Sequence, residues 1–223
     1  MNEMAALEDR YREKSATYYD QVNPALLNLV TGRGLRVLDV GCGTGANGRQ
    51  LLETGVAAWC AGVEIMADSA AIAQQYLDEV RVGMVDKIDL PWEAQSLDCI
   101  LLGDVIEHVL DPWNLLERLK SLLKPRGIFV ASVPNVQHLS VISRLVLFGD
   151  WRYHHDGILD ITHVRFFTRR SLVRLFRQSG CMIDAMRPYF SGRRYSYTSR
   201  LSFGVLDDWL AERWLLRAQL GAA

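Results

Sequence analysis

The sequence lacks several features that would place the protein in a special class. Its 223 residues contain no uninterrupted apolar run close to the ~20 residues that a membrane-spanning helix needs. The four cysteines, Cys42, Cys60, Cys99 and Cys181, form no CxxC pair, which argues against a zinc site or a disulfide framework. The charged N-terminal segment has no apolar centre and does not resemble a secretory signal. We therefore expect reduced thiols in a cytoplasmic protein.

Lysine is missing from the C-terminal part of the chain. Residues 144–223 contain 13 arginines and 7 acids, whereas residues 1–143 carry an excess of acids, and the formal net charge is −1. Arginine binds phosphate and carboxylate groups through a planar fork. The C-terminal part therefore predicts contact with an anionic small molecule, and a solvated basic face is the alternative. No nucleic-acid partner is expected, and membrane-surface contact is not favoured.

What the sequence does contain is an ordinary globular composition, with 49% hydrophobic and 23% charged residues and no internal repeat. Short apolar runs alternate with helical patterns, which predicts a parallel sheet with helices on both faces. We expect one α/β domain over residues 1–223, with a doubly wound, mostly parallel sheet and one antiparallel edge strand. Its seven strands are expected at 35–40, 57–64, 80–86, 97–104, 127–134, 181–190 and 212–220.

The expected helices lie between these strands and around them. Residues 7–31 predict an N-terminal helical cover, which we extend over 1–31. Segments 135–167 and 190–211 are expected to be insertions beside the acceptor of the reaction. Further helices are expected at 46–54, 67–78, 112–123, 135–148, 168–180 and, as a short one, near 204–211.

The strongest local pattern is VLDVGCGTG, residues 37–45, in which a buried strand leads into a glycine-rich turn and then a helix. Glycine lets the backbone approach a ligand closely, and the start of a helix offers free N–H groups. Glu64 ends the second expected strand, where a carboxylate can accept both hydroxyls of a ribose. Together these residues predict a nucleoside site.

Dinucleotide binding is an alternative, because Gly41, Gly43 and Ala46 also satisfy G-x-G-x-x-A. Asp39, just before the turn, would repel a pyrophosphate but attract a ligand ammonium. No large substrate domain follows, and the fourth strand ends in the polar segment GDVIEH, residues 103–108, where a methionine-like tail fits. These features favour a nucleoside with an amino-acid tail over NAD.

In this arrangement the sequence resembles class I S-adenosylmethionine (SAM) methyltransferases. The resemblance covers nearly the whole chain and rests on VLDVGCGTG, Glu64, VDKIDLPW, LDCILLGDVIEHVLDP and LKPRGIFVASVPN, in that order. Residues 150–181 resemble a bacterial subgroup that accompanies surface-polysaccharide synthesis and is related to ubiquinone-biosynthesis O-methyltransferases. The resemblance implies a Rossmann-like sheet with six parallel strands and one antiparallel strand. It also implies SAM as cofactor, S-adenosylhomocysteine (SAH) as product, and a small-molecule acceptor.

The resemblance also implies roles for individual residues. Glu64 would hold the ribose, Asp86 would meet the adenine amino group, and Asp104 would face the methionine ammonium. The full set of residues expected at the cofactor is Tyr18, Tyr19, Asp39, Gly41, Cys42, Gly43, Gly45, Glu64, Ile65, Asp86, Lys87, Gly103 and Asp104.

Methyl transfer from a sulfonium requires alignment of the two reactants and removal of a proton from the acceptor. We expect the acceptor to be a hydroxyl of a sugar or other anionic metabolite. His163, which Asp160 could orient, is the first candidate for the catalytic base, and His108 is the rival. Arg152 and Arg165 are expected to bind an acid on the acceptor, and the further candidates are Arg169, Arg193 and Arg194.

Three alternatives accompany this interpretation. A metal held by the loop cluster around His154, His155, Asp156, Asp160 and His163 is not favoured, because the spacing matches no compact ligand motif. The apolar segment 135–148 is expected to form a lid over the acceptor, with a membrane-surface anchor as the rival. A SAM-binding regulator without activity would also carry the glycine loop, but the basic and aromatic segment 135–200 favours an enzyme.

Overall fold

The computed structural model describes residues 21–221, and its centre is a seven-stranded sheet in the order β3-β2-β1-β4-β5-β7-β6. The number of strands and the predominantly parallel arrangement confirm the fold class expected from the sequence. The strands are β1 (Leu35–Val40), β2 (Ala57–Glu64), β3 (Glu79–Val82), β4 (Leu97–Gly103), β5 (Leu123–Pro134), β6 (Cys181–Tyr189) and β7 (Arg213–Leu220).

Eight α-helices lie in the described part of the chain. Their limits are α1 (Pro24–Leu27), α2 (Ala46–Glu53), α3 (Ala67–Ala73), α4 (Pro112–Lys120), α5 (Leu139–Phe148), α6 (Arg169–Gln178), α7 (Arg193–Leu201) and α8 (Asp207–Leu210), and a short 3₁₀ helix covers Ile106–His108. Helix α7 was not expected from the sequence, because its residues RRYSYTSRL lack an apolar stripe and none of them is buried.

The central strands are apolar at consecutive positions because both faces of the sheet are covered. Alternate residues of β4 belong to two different hydrophobic clusters: Ile100 and Leu102 pack on one side of the sheet, and Cys99 and Leu101 pack on the other. All four side chains are fully buried. The unbroken apolar runs of the sequence therefore correspond to strands that are covered on both faces, as expected.

Strand β7 is antiparallel to both of its neighbours, β5 and β6, and is inserted between them. The antiparallel strand thus lies one position inside the sheet, and β6 forms the edge. Its register pairs Pro134 of β5 with Arg213 of β7. Because β7 runs in the opposite direction, its first residue reaches the edge of the sheet at which the parallel strands end.

Helix α6 shows how the arginine-rich C-terminal part folds. Thr168 caps the helix by accepting from the backbone N–H of Ser171. Leu172, Leu175 and Phe176 are buried against the sheet, and the arginines of the same helix point away from it.

Helix α5 presents its apolar side chains to solvent. Val146, Leu147 and Phe148 are each more than 70% exposed, and Val141 is buried. No helix within residues 21–221 has the length and apolar character needed to cross a membrane.

Candidate active site

A cavity of about 700 Å³ opens at the carboxyl ends of β1, β2 and β4. Ligands bind at this edge in open α/β sheets, because the loops that follow the strands diverge there. The cavity wall includes residues of the glycine turn and residues that follow β4. The cavity continues past β4 to the first residues of β7. One cavity therefore includes both the glycine turn after β1 and the start of β7.

The glycine turn after β1 presents its backbone to the cavity. Gly41 has φ 69° and Gly43 has φ 54°, a left-handed conformation that costs an L side chain ~1–2 kcal/mol. A Cβ on Gly41 would lie 2.8 Å from Cγ2 of Val105, so a larger residue at this position would clash with the Val105 side chain. The N–H groups of Gly41 and Cys42 donate to the carbonyl of Val63, which fixes the turn on the end of β2.

Glu64 fastens the same turn from the end of β2. Its Oε2 accepts from the backbone N–H of Gly43 at 2.9 Å, and its Oε1 accepts from the N–H of Met66 at 2.9 Å. The side chain is buried, and burial raises the pKa of this carboxyl, opposed by the backbone donors. A carboxylate oxygen has more than one lone pair, so each oxygen retains capacity to accept from a ligand hydroxyl.

Asp39 does not line the cavity, although the resemblance assigns it to the methionine end of the cofactor. It is buried within β1, paired in register with Gly62 of β2 and Leu101 of β4, and its Oδ2 has no hydrogen-bond partner. Burial, and secondarily the charge of Glu64, raises the pKa of Asp39 to about 7.

Two other residues expected at the cofactor also lie outside the cavity wall. Gly45 is the N-cap of α2 with φ 85°, and a Cβ there would lie 3.2 Å from backbone and side-chain atoms of Ala73. Its small size therefore serves the packing of two helices. Lys87 does not reach the wall either, whereas its neighbour Asp86 does.

The structure brings the other described residues of the expected cofactor set together on the cavity wall. The wall includes Gly41, Cys42, Gly43, Glu64, Ile65, Asp86, Gly103 and Asp104. Tyr18 and Tyr19 lie outside the described residues. The acids fall at three separated places along the cavity: Glu64 after β2, Asp86 after β3 and Asp104 after β4.

His108 is the histidine that lines the cavity. Its 3₁₀ helix follows β4 directly, and its Nδ1 lies 3.1 Å from the carbonyl oxygen of Thr162. A carbonyl oxygen only accepts, so Nδ1 donates and the neutral ring carries its lone pair on Nε2. This tautomer can take a proton at Nε2.

His163 lies behind His108 and is not part of the cavity wall. It is only 7% exposed, and its ring centroid lies 4.8 Å from that of His108 in an edge-on arrangement. Its Nδ1 contacts the carbonyl of Ile158 at 3.0 Å, and its Nε2 lies 3.9 Å from Oε1 of the buried Glu107. The placement therefore corrects the sequence hypothesis that His163 faces the acceptor directly.

Asp160 accepts from the N–H and hydroxyl of Thr162 through its Oδ1, and its backbone carbonyl accepts from the N–H of His163. A different group of residues has metal-ligand character. Single ligand atoms of Glu107, His108 and His163 all lie within 4.8 Å of one another. These three side chains could converge on one cation after a small adjustment.

The arginines proposed for the acceptor point elsewhere. The guanidinium of Arg165 donates to the carbonyl of Leu110 and lies over Trp113, and Arg152 lies 3.8 Å from Asp150 on the surface. Arg169 pairs with Asp208. None of the five arginines chosen from the sequence, Arg152, Arg165, Arg169, Arg193 and Arg194, lines the cavity.

Sequence reasoning missed the arginine that does line the cavity, Arg213. It forms an ion pair with Asp104, and Glu212, Ser191 and Tyr189 stand beside it on the wall. Arg213 begins an otherwise ordinary strand, RWLLRAQL, and nothing in that pattern separates it from Arg217. The antiparallel register of β7 brings Arg213 to the edge of the sheet at which the cavity opens.

Comparison with known proteins shows the family and supports the fold. A family model described as a methyltransferase domain matches residues 9–185. A ubiquinone biosynthesis O-methyltransferase from Neisseria meningitidis serogroup C is 27% identical over 191 residues, which cover 78% of this chain and 77% of that protein. The same-named protein of Bradyrhizobium diazoefficiens is 35% identical over 108 residues, which cover 46% of this chain and 41% of that protein.

Solved structures agree with the fold. An S-adenosylmethionine dependent methyltransferase from Mesorhizobium loti superposes with a TM-score of 0.63 at 19% identity, covering 93% of this chain and 99% of that one. A SAM dependent methyltransferase from Archaeoglobus fulgidus gives a TM-score of 0.65 at 16% identity, covering 96% of this chain and 99% of that one.

Proposed function

Since this chain belongs to the methyltransferase domain family, we propose that it methylates a hydroxyl oxygen of a small-molecule acceptor, using His108 as the base. The chain is a class I SAM-dependent methyltransferase. The observation that carries the proposal is the cavity whose wall includes Glu64, Asp104 and His108.

The residues of the cavity fit SAM by their chemistry. SAM carries a ribose diol, an adenine amino group and an ammonium, and all three are hydrogen-bond donors. Glu64, Asp86 and Asp104 supply one acceptor carboxylate at each of three separated places on the wall. Gly41 has no Cβ, which lets its backbone pack closely against Val105 on the cavity wall.

When bound, SAM supplies a methyl group made electrophilic by the sulfonium. The protein has to hold the acceptor in line and to remove its proton. His108 Nε2 takes the proton from the acceptor hydroxyl, while its Nδ1 remains bonded to the Thr162 carbonyl. Glu107 and His163, which lie behind the ring, position it and stabilise the charged imidazolium.

We propose a hydroxyl as the acceptor group because the relatives described above are named O-methyltransferases. We further propose that the acceptor is a sugar or another anionic metabolite, which is supported by Arg213 in the cavity wall. The four cysteines are all free and buried, which supports a reducing compartment such as the cytoplasm.

The first test is binding. Isothermal titration with SAH and with NAD should give binding of SAH and none of NAD, because the carboxylates of Glu64, Asp86 and Asp104 on the wall would repel a pyrophosphate. Tight binding of NAD would contradict the proposal.

The second test is transfer. The chain is incubated with SAM labelled in its methyl group and a bacterial metabolite extract, and the label is followed into an acid-stable and base-stable ether. Binding of SAH without label in any product would indicate a regulator. Label in an amine product would contradict O-methylation.

A further inference from the structure

The ring of His108 is held by one backbone carbonyl that comes from a distant loop. Nδ1 of His108 lies 3.1 Å from the carbonyl oxygen of Thr162, which belongs to the peptide unit that joins Thr162 to His163. The hydrogen bond made by one ring nitrogen decides which of the two carries the proton. A proton on Nδ1 leaves the lone pair on Nε2, whereas a proton on Nε2 would remove the basic atom from the cavity. The ability of His108 to act as a base therefore depends on the direction of this carbonyl.

That direction is set within a four-residue turn, Asp160–His163. The Oδ1 of Asp160 accepts from the N–H of Thr162 at 2.8 Å and from its hydroxyl at 2.6 Å. The backbone carbonyl of Asp160 accepts from the N–H of His163 at 3.0 Å. Aspartate is favoured at the first position of such a turn, because its carboxylate reaches the N–H two residues further on. The Asp160 side chain thus supplies two of these three hydrogen bonds within the turn.

The geometry of the peptide bond carries this constraint to His108. The C=O and N–H of a trans peptide point in opposite directions. Because the N–H of His163 points to Asp160, the carbonyl of the same peptide unit points away from Asp160, and His108 lies on that side. Asp160 and Thr162 are both buried, so water competes little for these bonds.

The turn is fastened to the structure on both sides. After it, the N–H groups of Val164 and Arg165 each donate to the backbone carbonyl of Glu107 at 2.9 Å, which joins the loop to the 3₁₀ helix of His108. Within it, the N–H of Ile161 donates to the carbonyl of His154 at 2.8 Å. These anchors are all backbone groups. The carboxylate of Asp160 is therefore a part of the turn that a substitution can remove while the backbone anchors remain.

We propose that Asp160 is a positioning residue for the base. Through the Thr162 carbonyl it keeps the proton of the neutral His108 ring on Nδ1 and leaves Nε2 to receive the proton of the acceptor. This inference rests on the proposed function, which assigns proton removal to His108, and adds the buried acid that selects the reactive tautomer. Asp160 is not part of the cavity wall, so it acts without touching either reactant.

The first readout is the tautomer of His108, which requires neither cofactor nor acceptor. The full chain is labelled with ¹⁵N-histidine, and long-range ¹H–¹⁵N spectra are recorded at alkaline pH, where the neutral ring dominates. The His108 signals are assigned by their loss in His108→Gln. For the parent chain we expect the proton on Nδ1. For Asp160→Ala we expect the Nε2–H form to become at least as populated as the Nδ1–H form, because the turn has lost two hydrogen bonds.

Conservative substitutions should restore the parental tautomer. Asp160→Asn keeps an acceptor oxygen at Oδ1, and Thr162→Ser keeps the hydroxyl donor, so both should resemble the parent chain. Thr162→Val removes the hydroxyl and leaves the N–H bond, and should give an intermediate ratio of the two tautomers. Asp156→Ala, which removes an exposed acid from the same loop, is the matched control and should change nothing.

The second readout is the rate of label transfer from SAM to the metabolite extract used above. Asp160→Ala should lower this rate by about tenfold, because the reactive tautomer is no longer held. SAH affinity should stay within twofold. Asp160→Asn should recover most of the rate, which a general loss of stability would not predict.

The tautomer of His108 decides the outcome. A parental tautomer in a folded Asp160→Ala chain would overturn the inference. If that chain does not fold, Thr162→Val takes its place: a shifted ratio supports the inference, and an unchanged ratio overturns it. A shifted tautomer together with absence of label from every product of the parent chain would overturn the proposed function alone, because the NMR measurement does not depend on transfer.

Discussion

The two ends of the cavity are built in different ways. At the cofactor end the contacts come from backbone and from acids at the ends of neighbouring parallel strands, with Gly43 bonded to Glu64 and the turn bonded to Val63. At the acceptor end the contacts join segments far apart in the chain: His108 meets the Thr162 backbone carbonyl, and Arg213 of β7 pairs with Asp104, which belongs to the cofactor end. A backbone site tolerates many side chains and suits a ligand that never changes. A side-chain site can be altered residue by residue and suits an acceptor that differs between relatives.

If the cofactor end and the acceptor end of the cavity act separately, His108 can be removed without loss of cofactor binding. His108→Ala should lower kcat by ~10²–10⁴-fold, because a general base contributes about that factor. SAH affinity, measured by titration calorimetry, should stay within twofold. His154→Ala, in the exposed part of the 149–167 loop, is the control and should change neither quantity.

His163→Ala sharpens the same comparison. As a group behind the base, His163 should affect kcat less than His108 does and should shift the pH profile of kcat. A larger loss for His163→Ala than for His108→Ala, with unchanged thermal stability, would move the base to His163.

The cofactor end carries a buried charge that should make stability depend on pH. Burial raises the pKa of Asp39 to about 7 in the folded chain, whereas in the unfolded chain the carboxyl returns to its usual pKa near 3.8. Between these values the folded state binds more protons, so the free energy of unfolding falls as pH rises, by at most about 1.4 kcal/mol per pH unit. Asp39→Asn should flatten this slope and raise Tm above that of the parent at pH 8. The difference should shrink toward pH 4, and a difference that grows toward pH 4 would contradict the raised pKa.

Loss of the Glu64 carboxylate, at the end of β2, should weaken cofactor binding only. Glu64→Ala removes the acceptor of the Gly43 and Met66 N–H groups and should weaken SAH by ~1–3 kcal/mol. Unchanged SAH affinity would exclude the ribose role, and a parallel melting curve shows whether the fold survived.

The smallest effect is expected for helix α5, which lies apart from both ends. No residue of α5 lines the cavity, so the structure does not place it as the lid that the sequence suggested. Replacing Val146, Leu147 and Phe148 with serine should leave kcat and SAH affinity within twofold. Flotation with anionic vesicles, repeated at high salt, tests the rival role, and salt-sensitive binding that the substitutions abolish would support an anchor.

The cofactor end was readable from the sequence because it is local. Residues 37–45 fold into a turn whose glycines are required by positive φ angles, and Glu64 follows on the next strand. Asp39 and Gly45 belong to the same motif but lie outside the cavity wall. Asp39 is buried within β1, and Gly45 packs against Ala73 of α3. A motif reports which loop forms the wall and not which of its side chains face the ligand.

The acceptor end could not be read in this way because it depends on contacts between segments far apart in the chain. Arg213 reaches the cavity through the register of β7 against β5, and an arginine elsewhere on the strand would point to other partners, as Arg217 does. His108 and His163 were both candidates, and their order was decided by the folding of the 158–163 segment against the 3₁₀ helix. Neither contact leaves a periodic signal in the sequence.

The insertion of β7 between β5 and β6 has a consequence for synthesis. β7 is translated after every other strand of the sheet, so a nascent chain can close the cofactor turn while the adjacent side of β5 is still without its partner. During that interval the open backbone of β5 offers hydrogen-bonding groups to any other extended chain. The exposure of this strand edge to misassembly therefore ends when β7 pairs with β5.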